Sequence, residues 1–294
     1  MPGGIAVLRF LGSCAVLGAA SFVLAGCGSS ATTGYYVSLG DSYSVGYQPL
    51  PQPASTSGYT AVVAKATGLR LVNFGCAGAT TSTILRSTGC LAGAAAATHA
   101  ANYPSETQAQ AALSFIEHHK GDIGLVTVTI GGNDILSCEG SKNLFACAQA
   151  ELAIVQADLK TLVTELRHAV GNSVPIIGLT YPDVFLGNWV FPPGKAAPTI
   201  AMLSVGAFEY LLNPALQQAY QSAGAHFVDI TDATGAYIPL STTETMAPYG
   251  TIPVAVARVC GYTWYCSVGN IHANSSGYAF IGDQVVKEYD RLTR

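Results

Sequence analysis

Charge is scarce in this chain: 13 Lys+Arg and 17 Asp+Glu make up only 10% of 294 residues, against about 25% in ordinary soluble domains. No basic run occurs, so no surface stripe can neutralise a row of phosphates, and nucleic acid is excluded as an expected partner. Internal repeats are absent too, which leaves out solenoids and propellers. What is present is apolar. Half of the residues are hydrophobic, which rules out disorder, and the length allows one large α/β domain or two small ones. Glycine, alanine, serine and threonine take surface positions that charges usually hold, a composition suited to an extracytoplasmic protein.

Residues 1–10 carry one positive charge, Arg9, and an apolar stretch follows over residues 11–25, too short for a settled membrane span. Residues 1–26 therefore read as a signal peptide. Its end, Leu24-Ala25-Gly26-Cys27, resembles the bacterial lipobox, and the resemblance implies cleavage before Cys27 and diacylglyceryl attachment to its sulfur. Residues 27–34 then form a flexible, lipidated tether, and residues 35–294 a single domain. The localisation expected is a bacterial cell-membrane lipoprotein or, without the anchor, a secreted protein.

Six cysteines remain beyond the tether: Cys76, Cys90, Cys138, Cys147, Cys260 and Cys266. An even number outside the cytoplasm implies disulfides. The six fall into three sequence-local couples, so Cys76–Cys90, Cys138–Cys147 and Cys260–Cys266 is the economical pairing. A metal site built from Cys260, Cys266 and His272 is the rival, but its spacing matches no common zinc pattern.

Hydropathy patterning predicts strands over residues 35–39, 69–74, 123–130, 174–179 and 225–230. Between them helices are expected over residues 58–66, 106–119, 148–169 and 201–223, and residues 276–292 close the chain as a helix. In the segment 148–169 Leu152, Val155, Leu159, Leu162 and Leu166 recur at steps of three and four, the mark of a core-facing stripe. A Pro-rich loop covers residues 48–53. Strands alternating with helices, with near-continuous apolar runs, indicate a parallel sheet covered on both faces.

Chemistry-bearing residues sit after the strands. Gly40-Asp41-Ser42-Tyr43-Ser44 follows the first, Asn73-Phe74-Gly75-Cys76-Ala77-Gly78 the second, and Gly131-Gly132-Asn133-Asp134 the third; Asn270-Ile271-His272 lies near the C-terminus. These four blocks, in this order, resemble those of the SGNH (GDSL) hydrolase family and span residues 40–283. The resemblance implies a three-layer α/β/α sandwich with a flavodoxin-like five-stranded parallel sheet in the order 2-1-3-4-5, which brings the first three blocks to one crevice. It also implies Ser42 as nucleophile, His272 as general base, and an oxyanion hole formed by the Ser42 and Gly78 amides and the Asn133 side chain. His118, His119 and His168 fall in helices, His99 in an Ala-rich loop and His226 at a strand start, without such motifs.

The family usually places an Asp three residues before the His, and here that position is Gly269. Something must still hold the imidazole proton on Nδ1. The Gly269 carbonyl is the preferred acceptor, with Asn270, Asp229 or Asp232 as alternatives. The activity implied is ester hydrolysis through a Ser42 acyl-enzyme, as an esterase or lipase, without metal or organic cofactor. The absence of G-x-S-x-G argues against an α/β-hydrolase elbow. An ester, lipid or acylated glycan is the expected partner, with the membrane reached through the lipid anchor and the protein a monomer. A deacetylase of envelope glycans and a lipid-anchored binding protein without catalysis are the other readings. The aromatic segment over residues 183–191 is a candidate acyl-binding wall, or else packs beneath its own loop.

Overall fold

Five short parallel strands carry the molecule: β1 (Tyr35–Gly40), β2 (Arg70–Asn73), β3 (Ile123–Thr129), β4 (Ile176–Leu179) and β5 (His226–Val228), hydrogen-bonded in the order β2-β1-β3-β4-β5. The order is the one expected. This computed structural model describes residues 34–49, 58–91, 95–96, 100–195 and 197–294. The signal peptide, Cys27, the tether up to residue 33, His99 and most of the Pro-rich loop lie outside the described residues. Residues 33–294 form one compact unit.

Helices α1 (Ser42–Val45), α2 (Tyr59–Thr67), α3 (Thr81–Arg86), α4 (Gln108–His118), α5 (Gly132–Leu136) and α6 (Leu144–Val170) interleave with the first four strands. After β4 come a 3₁₀ segment (Val184–Trp189), α7 (Pro198–Ala207), a π-helical turn (Phe208–Leu212), α8 (Asn213–Ser222), and, beyond β5, α9 (Ile230–Ala233). A hairpin of β6 (Thr243–Met246) and β7 (Gly250–Pro253), then α10 (Val254–Tyr262), α11 (Tyr265–Val268) and α12 (Ser275–Thr293), complete the chain.

Alternation along the strands sends residues to two covered faces. Val37, Leu39, Val126 and Val128 pack under α3, α4, α6 and α8, whereas Tyr36, Leu125, Ile177 and Leu179 pack under α2 and α12. The stripe of α6 is buried core at Val155, Leu159, Leu162 and Leu166. Thr127 and Thr129 look out of place in a dry layer. Buried tyrosines satisfy them: the Tyr36 hydroxyl lies 2.7 Å from Thr127 Oγ1 and the Tyr59 hydroxyl 2.8 Å from Thr129 Oγ1.

The helix foreseen over residues 201–223 is present as a continuous run over 198–222, with a π turn inside it where Pro214 has no N–H for the Tyr210 carbonyl and its ring crowds that turn. One expectation needs correction. The fifth strand was expected to reach residue 230 but stops at Val228, since the Asp229 side chain accepts from the Asp232 amide and starts α9. The hairpin and α10 carry no strong sequence pattern, and they build a third apolar cluster with Leu186, Ala201, Val256 and Val259.

The carboxyl end of β1 is held from two sides. Gly40 has φ +140°, and a Cβ there would collide with the Thr129 carbonyl of β3. The Gln108 side chain, on α4, accepts from the Gly40 amide (2.7 Å) and donates to the Gly40 carbonyl (3.1 Å), as a neighbouring strand would. Gln108→Leu keeps the volume and strands the buried Gly40 amide, while the Gly40 carbonyl keeps the Cys76 amide. It is expected to cost about 1–3 kcal/mol of stability, seen as a lower denaturant midpoint with unchanged slope.

Candidate active site

Ser42 is the first residue of α1, directly beyond the fixed end of β1, and is buried. The turn that presents it is capped by Asp41, whose Oδ1 accepts from the Tyr43 amide at 2.9 Å. Asp41 Oδ2 accepts from the Tyr181 hydroxyl at 2.6 Å, and that same hydroxyl accepts from the Gly132 amide at 3.2 Å. Tyr181 thus fastens the turn bearing Ser42 to the turn bearing Asn133. Burial pushes the Asp41 carboxyl up to about 7 against the pull of these donors.

His272 arrives from the other end of the chain. Its Nε2 lies 2.8 Å from Ser42 Oγ, although 230 positions separate the two residues. Two contacts hold its loop: the Tyr43 hydroxyl donates to the Ile271 carbonyl (2.7 Å), and the Trp264 amide donates to the His272 carbonyl (3.0 Å). The Tyr47 ring lies against the imidazole with centroids 4.5 Å apart. Burial pulls the His272 pKa down to about 4, so the ring is neutral at pH 7 and free to accept a proton.

The partner of Nδ1 corrects the preferred expectation. It is not the Gly269 carbonyl but Asn270 Oδ1, 2.8 Å away, and the same oxygen accepts from the His272 backbone amide at 3.1 Å. A backbone N–H can only donate, so the atom facing it is the oxygen of the carboxamide and not its nitrogen. An oxygen there forces the proton onto Nδ1 and leaves Nε2 as acceptor toward Ser42. Gly269 serves otherwise. At φ +69° it ends α11 and turns the chain toward Asn270, with the Phe191 ring against it. Neither of the two remote carboxylates reaches the ring: Asp229 caps α9 and accepts from Asn213, and Asp232 lies in the same turn.

The remaining blocks converge beside Ser42. The Cys76 amide donates to the Gly40 carbonyl at 3.0 Å, which seats the loop after β2 against the end of β1. Gly78 follows at φ +80°, exposed, with open space where a Cβ would stand. Asn133 Nδ2 donates to the Ala79 carbonyl at 2.8 Å, next to Gly78, and keeps a second N–H. Among the described residues neither the Ser42 nor the Gly78 amide has a protein acceptor. Asp134 joins these loops by accepting from the Thr81 amide and hydroxyl, the latter at 2.6 Å. Sequence reasoning missed Tyr181, Asp134 and Gln108 as supports. Tyr181 had a signal, since it stands two residues beyond β4 on the edge where the crevice was sought.

All three expected disulfides are formed, Cys76–Cys90, Cys138–Cys147 and Cys260–Cys266, each pinning a loop at or next to this edge. The last removes the thiolates that the metal alternative requires. The candidate acyl wall divides in two. Val184 and Leu186 are buried core, whereas the half-buried Phe185 and Phe191 flank Tyr265, with ring centroids 6.5 and 6.1 Å away.

The family model described as GDSL-like lipase/acylhydrolase matches residues 38–280. The chain belongs to that family. Ester hydrolysis is the chemistry this family supports. Lipase 2 of Streptomyces coelicolor is 29% identical over 236 residues, covering 69% of this chain and 71% of that protein. A crystal structure of phospholipase A1 from Streptomyces albidoflavus has the same fold, with a TM-score of 0.51 at 19% identity over 87% of this chain and 98% of that one.

A neutral acceptor behind the histidine has a measurable signature. In this family member, kcat/KM for a soluble ester should rise with pH through a limb near pH 4, where His272 loses its proton. Asn270→Asp places an anion on Nδ1 and should move that limb up by about 1–3 pH units. Asn270→Ala frees the tautomer and should lower kcat by about a hundredfold or more, with an unchanged melting curve.

Proposed function

We propose that this chain is a serine carboxylic-ester hydrolase acting outside the cytoplasm, with Ser42, His272 and Asn270 as its relay. The observation that carries the reading is the 2.8 Å approach of His272 Nε2 to Ser42 Oγ, with Nδ1 engaged by an atom that can only be oxygen. His272 removes the Ser42 proton as Oγ attacks the ester carbonyl carbon. The carbonyl oxygen takes the electron pair and is held by the Ser42 and Gly78 amides and by Asn133 Nδ2. His272 then protonates the departing alcohol, leaving an acyl-Ser42 ester, and water repeats the sequence with the acid as product.

A lipid-type acyl chain is the favoured substrate. Phe185, Phe191 and Tyr265 form a cluster of apolar rings, with Phe191 against Gly269 in the turn that leads to His272, and the Streptomyces coelicolor relative is named a lipase. Ser42→Ala should reduce turnover of a p-nitrophenyl ester by about a millionfold, to the level left by the rest of the site, without altering the melting temperature. Activity within tenfold of the parent would remove Ser42 from its role. In the parent, a kcat/KM that rises from acetate to octanoate supports the lipase assignment, whereas a maximum at acetate transfers it to a deacetylase.

Three disulfides in so small a chain support an oxidising compartment, and Leu24-Ala25-Gly26-Cys27 supports anchoring there through a diacylglyceryl group on Cys27. Cys27→Ser should abolish incorporation of labelled fatty acid into the protein and shift it out of the washed membrane fraction. Unchanged labelling would exclude the lipobox.

A further inference from the structure

Helix α7 and the π turn that prolongs it send much of their apolar content outward. Ala201, Ser204 and Phe208 face the protein, with Val205 and Leu212 partly buried beside them, and Ser204 Oγ donates to the buried carboxylate oxygen of Asp183 at 2.8 Å. The residues that face solvent are large and apolar. Ile200, Leu203, Ala207 and Tyr210 follow one another at steps of three and four along one exposed stripe, with Met202 and Leu211 beside it. Leu203 and Tyr210 are 70% and 71% exposed. Glu209 is the one charged residue between positions 196 and 222. By length and composition the stretch Pro198–Ser222 would qualify as a membrane span, yet only a third of it is buried. A surface helix ordinarily shows the opposite pattern, and a contiguous exposed apolar face of this kind marks an interaction site.

We infer that this face docks onto the hydrocarbon boundary of a phospholipid bilayer and so holds the mouth of the crevice against the substrate phase. A face whose one charge is Glu209, beside Tyr210, offers little to a charged partner, but it matches an apolar phase, and the exposed Tyr210 with that carboxylate suits the boundary between chains and headgroups. Its position agrees. α7 leaves the 3₁₀ segment after β4, on the carboxyl edge where Ser42 stands, and Ala201 packs with Leu186, Val256 and Val259 in the cluster that supports the loop of His272. The diacylglyceryl group proposed for Cys27 would keep a bilayer within reach, since residues 27–34 extend at most ~26 Å. The inference adds an approach surface to the proposed esterase, and its binding test does not depend on catalysis.

Hydrogen–deuterium exchange on the full chain, with and without phosphatidylcholine vesicles, reads the face directly. Added vesicles should protect residues 198–212, equally in low and high salt because no ion pairs are involved. Leu203→Asp should reduce that protection by about tenfold, the loss of one buried leucine, and lower turnover of a vesicle-borne ester by a similar factor. Turnover of a soluble short ester should stay within twofold, as Leu203 takes no part in the site. Docking is overturned if vesicles leave exchange at 198–212 unchanged, or if Leu203→Asp leaves the vesicle-induced protection intact. It is also overturned if the protection seen without vesicles rises with protein concentration, which assigns the face to a second copy, or falls when residues 1–33 are removed, which assigns it to the N-terminal segment. If no ester of any kind is turned over but protection appears, the docking surface stands and the catalytic reading falls.

Discussion

The site depends on the end of β1, where the backbone has no freedom left. Gly40 is pressed against Thr129 of β3, its amide and carbonyl are both bound by Gln108, and the carbonyl also receives the Cys76 amide from the loop after β2. One residue later the Asp41 amide donates to the Thr129 carbonyl. Ser42 therefore leaves a piece of chain tied to both neighbouring strands and to α4. A strand placed between β2 and β3 is the place in this sheet where successive loops diverge and leave a crevice. The same ties that close β1 fix the two flanking loops, so the position of Ser42, the proposed nucleophile, and those of Gly78 and Asn133, the proposed oxyanion donors, are one structural fact.

Within that frame the relay is uncharged. His272 is neutral at pH 7, Asn270 adds no anion, and the Asp41 carboxyl is pushed up to about 7 by its burial. A carboxylate in the place of Asn270 would stabilise the imidazolium better as the proton moves, but it would introduce a second partly buried acid into the same pocket, at a desolvation cost. The carboxamide settles the tautomer by geometry instead. Its usual weakness, that it can rotate and offer nitrogen, is removed by the His272 backbone amide, which donates and so needs an oxygen opposite it. The tight turn from Gly269 to His272 is what brings that amide and Nδ1 to the same atom.

The strands, the four motif loops and all three disulfides were legible because each leaves a local mark: an apolar run ended by glycine, a short motif behind it, or two nearby cysteines; the sheet order and the Ser42–His272 pair followed from the family resemblance that those motifs carry. The acceptor for Nδ1 was not, since Gly269 and Asn270 are adjacent and their order of preference depends on a backbone angle of +69° that the sequence does not print. Nor were Gln108 and Tyr181. A buried glutamine that imitates a strand, and a tyrosine that links Asp41 to Gly132, act through contacts 68 and 140 positions apart. The π turn at Phe208–Leu212 has its cause in Pro214, whose missing N–H a helical reading of 201–223 does not register.

Scarcity of charge then explains the rest of the carboxyl edge. Long loops on such an edge ordinarily hold their shape by salt bridges and capped helices, and few charged residues exist here to supply them. Covalent closure takes that role: bridges spanning 14, 9 and 6 positions stiffen the loop of Gly78, the passage from α5 to α6, and the approach to His272. An edge stiffened this way keeps its geometry when water is replaced by an apolar phase, whereas surface ion pairs would face a desolvation penalty on entering it. The apolar outer stripe of α7 and the disulfide-pinned crevice are in that sense two responses to one condition, the lipid surface at which the site is proposed to work.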